Sequence, residues 1–154
     1  MAQINLAANT EYEMQEKKDR IEDALSATRA AIEEGIVPGG GVALLRSAEV
    51  LNDIMTENKD QEVGVRILQK ALEMPARCII ENAGEPPTVM IYKILLSTNH
   101  DHGYNAASER FESLTDARVI DPTKVTRLAL ENAVSVAGMM LITYCVVADE
   151  EEKI

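Results

Sequence analysis

The sequence predicts a mainly α fold with a few short β-strands. Three observations carry that expectation. Hydrophobic residues make up 46% of the 154-residue chain, but aromatics only 3%, with one Phe and no Trp. The core must therefore be built from Ala, Leu, Ile, Val and Met, which suits helices packed on helices. Long stretches also show apolar residues at helical spacing, and Gly and Pro punctuate them.

The elements follow in order. Alternation at Ile4 and Leu6 suggests a short first strand. Asn9 or Thr10 can then cap a helix, with Glu13 placed for a capping box. This helix runs to Glu34 and stops at Gly35. Ile21, Leu25, Thr28 and Ile32 recur on one face and are its expected buried stripe. A second helix follows "VPGGG", with Val42, Leu44, Leu45, Ala48, Val50 and Leu51 apolar. "TENKDQ" reads as a loop and Glu62–Asn82 as a third helix, which Pro75 should break or kink. Gly84 ends it, and Pro86–Pro87 start a fourth helix reaching Leu96.

"STNHDHG" is a polar loop. "YNAASERFESLTDARVI" reads as a hairpin plus one helical turn. A long last helix follows, capped by Asp121 and led by Pro122, with Val125, Leu128, Ala129, Ala133 and Val136 as its stripe. "CVVADEEEK" suits a final strand with a solvated acidic end.

The formal net charge of −11 argues against nucleic acid or an anionic membrane as partner, because both are held by clustered Lys and Arg. Uninterrupted apolar runs stay below the ~18 residues that indicate a membrane span. Residues 1–20 turn polar and acidic after the first few, unlike a signal peptide. Cys78 and Cys145 lack metal-type spacing and read as reduced, buried thiols. A cytosolic or organelle-matrix protein is the default.

Several side chains carry possible chemistry beside a plainer structural role. Asp23 points away from the apolar stripe and reads as a surface acid. Asp121 has a sufficient role as a helix cap. His100, Asp101 and His102 form an H-x-H loop, a weak metal signal without further ligands. The run Gly39, Gly40, Gly41 exceeds what a helix–helix turn requires, and it lacks the Walker pattern.

Three stretches taken together are more specific: "KKDRIEDALSATRAAIEEGIVPGGGVALLR" (17–46), "GYNAASE" (103–109) and "VIDPTKVTRLALENAVSVAGMML" (119–141). In this order they resemble the group I chaperonins of bacteria, mitochondria and plastids. The resemblance spans nearly the whole chain. It implies a fold like the helical bundle of the chaperonin equatorial domain, incomplete relative to the family. Residues 1–34 resemble the descending intermediate-domain segment, and 35–154 the C-terminal half of the equatorial domain. The apical domain, the phosphate-binding loop and the metal-ligating acid have no counterpart, so the chain reads as a fragment starting at an added Met1.

The resemblance further implies the adenosine side of an ATP site. Gly40 would lie against the nucleotide, Asn105, Ala106 and Ala107 would line the adenine, Val119 would touch the base, and Asp121 would accept from the ribose hydroxyls. Asp23 matches the acid that positions the attacking water. In the complete protein, Mg²⁺ would come with ATP. The partners would be other subunits in a homo-oligomeric ring, with unfolded proteins and a co-chaperonin bound through the absent apical domain. The alternative is a self-associating helical module without nucleotide chemistry. One departure is Pro86, which stands where many bacterial members carry an acid opposite the base at Arg77, so that inter-ring pair cannot form.

Overall fold

The structure is a computed structural model that describes residues 3–147. The elements are α1 (Glu11–Glu34), β1 (Ile36–Pro38), α2 (Val42–Ser47), α3 (Lys59–Asn82), α4 (Pro87–Leu96), β2 (His102–Asn105), β3 (Arg110–Ser113), β4 (Ile120–Pro122) and α5 (Thr123–Ile142), with a 3₁₀ segment, Ala48–Asp53, after α2. The mainly α expectation holds, and the strands form two antiparallel pairs, β1–β4 and β2–β3.

Local chemistry explains most boundaries. Thr10 Oγ1 accepts from the Glu13 amide at 3.2 Å, and Glu13 Oε2 accepts from the Asn9 amide at 3.1 Å. The same reciprocal pattern opens α3. Asn58 Oδ1 accepts from Gln61 N at 2.9 Å, and Gln61 Oε1 from Glu57 N at 2.8 Å. That cap starts the helix at Lys59, three residues before the position expected from its apolar period. At its other end, Gly84 N donates to Glu81 O and Glu85 N to Ile80 O, the paired bonds of a Schellman stop. Pro87 begins α4 as its first helical residue.

Several expectations are corrected. Residues 3–8 form no strand; they have no neighbouring strand to pair with, and Ile4 is exposed. α3 continues through Pro75. One amide bond is lost there, but the packing of α2 against α3 at Gly41 holds the backbone in place. The last helix starts at Thr123, so Asp121 lies in β4 and makes no cap. Residues 143–147 form no strand; the rest of the expected final strand lies outside the described residues. Cys78 and Cys145 are free and exposed, not buried.

The core is smaller than the stripes suggested. Val42 and Leu45 of α2 and Ile80 of α3 meet Met90, Ile91 and Ile94 of α4, closed by Tyr104 and Leu114 around the hairpin. Arg46 ties this core together: its Nη2 donates to the carbonyls of Ile94, at 2.7 Å, and Ser97, at 2.9 Å, just where α4 runs out of internal partners. Among the described residues, none of α1 or α5 is fully buried. Ile32, expected inside, is 80% exposed. Among the described residues α1 packs mainly on α5 and β4, and α5 leaves most of its apolar surface open.

α5 also qualifies the reading on membranes. Its 20 residues are long and apolar enough, by composition, to cross a bilayer. Its charges, Lys124, Arg127 and Glu131, fall in the first half and bond to α1 or to one another. Its small-residue flank, with Ala129, Ala133 and Ala137, faces α3 across an apolar groove of about 500 Å³.

Candidate functional site

The site predicted from sequence is organised by the β1–β4 ladder. Val37 pairs with Asp121, and Pro38 with Ile120. The ladder is extended by Gly39 N, which donates to Val119 O at 2.9 Å. These pairings run residues 119–121 beside the strand that leads into the glycine triplet.

Each glycine has its own reason. A Cβ on Gly39 would lie 3.1 Å from Val119 O. Gly41 has φ +75°, and a Cβ there would meet the Ala76 amide nitrogen at 2.5 Å. It is therefore the point where α2 closes on the α3 backbone. Gly40 differs. Its φ is +63°, but a Cβ would find only ordinary contacts, Leu114 Cδ1 at 3.7 Å and Tyr104 O at 3.8 Å. Among the described residues, nothing crowds Gly40. Its contact with Tyr104 O places it beside the peptide that leads into Asn105.

Asn105 ends β2, and Ala106 and Ala107 are exposed in the hairpin loop. The Asn105 amide is engaged at both ends. Its Oδ1 accepts from Ala107 N at 3.0 Å, and its Nδ2 donates to Glu112 Oε1 at 2.7 Å. Glu112 also accepts from Ser108 Oγ at 2.9 Å. These bonds, Asn105 first, hold the Glu112 carboxyl below its ordinary pKa. Sequence reasoning missed Glu112, because only the hairpin register, Asn105 opposite Arg110, brings it onto the same face as Asn105.

Val119 is half-buried and packs on the core. Asp121 borders a separate hollow of about 170 Å³, walled by Ala27, Thr28 and Ala31 of α1 and by Ile36, Ile120 and Pro122. Gly40, Asn105, Ala106 and Ala107 do not line it. No donor among the described residues reaches the Asp121 carboxylate, and partial burial pushes its pKa up. Asp23 is exposed on α1, one helical turn before Ala27. The structure thus sets Val119 beside Gly39, and Gly40 beside the peptide that leads into Asn105. Asp121 stands on the α1 side, with Asp23 further along that helix.

The H-x-H loop has a structural use. Asp101 accepts from Ser113 Oγ, Thr115 Oγ1 and Thr115 N, the last at 3.2 Å. Desolvation raises its pKa, but these bonds outweigh it and leave the group lowered. His102 stacks on Phe111 with ring centroids 6.0 Å apart. At the other departure noted above, Arg77 bonds within the chain, to Glu73 Oε2 at 3.4 Å and Thr88 Oγ1 at 3.3 Å, and Pro86 leads into α4.

Comparison with known families agrees with this fold. The model of the TCP-1/cpn60 chaperonin family matches residues 1–151. The chain belongs to the TCP-1/cpn60 chaperonin family, whose members assist protein folding, depend on ATP and assemble as rings of subunits.

Proposed function

We propose that this chain is the C-terminal intermediate/equatorial portion of a group I chaperonin subunit. Residues 1–34 are the descending intermediate segment, and 35–154 the second half of the equatorial domain. It contributes the adenosine side of an ATP site and part of the surface on which the ring forms. In the complete protein, ATP binding and hydrolysis drive capture and release of unfolded polypeptides. The compartment this implies is the bacterial cytoplasm or an organelle matrix.

The observation that carries the reading is the contrast within the glycine triplet. Packing inside the chain accounts for Gly39 and Gly41, whereas Gly40 faces no crowding neighbour and borders the Asn105 peptide. A bare backbone there suits close approach of a nucleoside. The residues fit the group in a second way. Among the described residues no hydrogen bond offsets the desolvation of the Asp121 carboxylate, and ribose hydroxyls would supply donors to it. Asn105, Ala106, Ala107 and Val119 would line the base. ATP itself would supply the phosphoryl group, with Mg²⁺ held by residues outside this chain. Asp23, exposed on α1, would orient the attacking water once α1 brings it to the phosphate.

Adding ATP with Mg²⁺ to the 154-residue chain should raise its thermal midpoint, increasingly with the logarithm of ligand concentration above the Kd. Absence of any shift at millimolar ATP would remove nucleotide binding from this chain. In the complete subunit, Asp23→Ala should keep ATP binding and lose most hydrolysis; unchanged turnover would take Asp23 out of the mechanism.

A second reading rests on the groove between α3 and α5. Apolar surface this extensive favours self-association in the absence of a covering partner. It describes a helical interaction module without nucleotide chemistry, and the same ATP titration separates the two.

A further inference from the structure

We infer that Glu112 is a positioning residue that fixes the orientation of the Asn105 side-chain amide and thereby sets base preference. The inference rests on the nucleoside reading of this site.

An asparagine amide can turn over about its last bond, exchanging donor and acceptor while keeping its shape. At Asn105 that exchange is blocked twice. Turned over, Oδ1 would face the Glu112 carboxylate, acceptor against acceptor, and Nδ2 would face the Ala107 N–H, donor against donor. As it stands, Nδ2 donates to Glu112 Oε1 at 2.7 Å and Oδ1 accepts from Ala107 N at 3.0 Å. The bond to Glu112 is the stronger of the two, because its acceptor is charged.

Glu112 is itself held. Ser108 Oγ donates to the same oxygen at 2.9 Å, across a loop in which Glu109 has φ +57°. The carboxylate thus links Asn105 at the end of β2 with Ser108 in the loop and β3, and it shapes the turn bearing Ala106 and Ala107. After these bonds Asn105 retains one Nδ2 hydrogen and one Oδ1 lone pair. Their directions are fixed, so an approaching base meets a set pattern and not an average of two. Adenine and guanine present opposite donor and acceptor patterns at the six-position and N1, so a fixed amide discriminates between them. A freely turning amide does not.

The test uses the 154-residue chain, with ADP and GDP as probes and the Asn105 side-chain amide observed by ¹H–¹⁵N NMR. Wild type and Glu112→Gln, which keeps an acceptor oxygen, should show a protected Asn105 amide and favour ADP. Glu112→Ala should lose that protection. It should also weaken ADP by about three- to ten-fold, the scale of one hydrogen bond, while GDP changes little. A merely structural role would weaken both nucleotides alike, with no rescue by Glu112→Gln, and would overturn the inference. An unchanged Asn105 signal in Glu112→Ala would overturn it too. If the Asn105 signals behave as expected but neither nucleotide perturbs the wild-type spectrum, the nucleoside reading fails and takes base preference with it.

Discussion

Arg127 grips Glu34 with two hydrogen bonds, Nε to Oε2 at 3.0 Å and Nη2 to Oε1 at 2.6 Å. Beside them Lys124 pairs with Glu33. These contacts join the last turn of α1 to the first turns of α5, where α1 buries no apolar side chain of its own. The Arg127 bond holds the Glu34 pKa below its ordinary 4.5, partly opposed by desolvation. A depressed acid stabilises the fold above its unfolded pKa, and that contribution is lost as pH falls through the folded value. Amides at the end of α1 should therefore lose protection, taken relative to their intrinsic exchange rate at each pH, as pH falls below the ordinary 4.5, and in Arg127→Ala at neutral pH, with the α2–α4 core unaffected. Equal exchange in the variant would deny the pair a holding role.

The triplet predicts a sharp contrast between neighbouring alanine variants. Gly41→Ala drives a Cβ into the α3 backbone at a left-handed φ, and should cost upwards of about 3 kcal/mol or prevent folding. Gly40→Ala meets only the left-handed penalty of about 1–2 kcal/mol, because its surroundings are open. Urea unfolding of the two variants measures the difference. Similar losses would mean that Gly40 is a packing glycine after all.

Asp101 closes the base of the β2–β3 hairpin. Asp101→Ala removes the acceptor for Ser113 and Thr115 and should cost about 1–3 kcal/mol. Since its pKa is lowered, the contribution should be present at neutral pH and fade below the ordinary value of 3.8. Denaturant melts at pH 7 and pH 3 check both points; a variant gap that does not shrink at all between them would contradict the assignment.

Asp121 should behave oppositely. Its raised pKa means that the charged form is disfavoured in the fold, a cost felt above the folded pKa and relieved as pH falls. Asp121→Asn should therefore leave stability at pH 7 unchanged or slightly raised, while weakening any nucleoside that depends on this acceptor. A clear loss of stability would show that the carboxylate has a structural partner.

The α3–α5 groove predicts concentration-dependent association of the chain. Sedimentation should show species larger than 16.9 kDa, and Ala133→Glu, placing a charge in the groove, should shift them to monomer. A monomer at all concentrations would leave the groove without a partner of its own kind.

Short-range chemistry was legible in the chain as written. The Thr10–Glu13 cap, the stop at Gly84, the start at Pro87 and the helix–hairpin order all depend on neighbours within a few residues, so their sequence is sufficient. Other features needed the fold. The stripes of α1 and α5 imply a full burial that no described residue of either helix reaches, because periodicity tells which face is apolar and not whether anything covers it. Pro75 stays helical because α2 packs beside it at Gly41, 34 positions earlier. Asp121 moved from cap to strand because Val37 lies opposite it. Likewise, no local pattern couples Asn105 to Glu112 or separates Gly40 from its two neighbours. Those relationships are set by strand register and by the close approach of distant backbones, which only the folded arrangement decides.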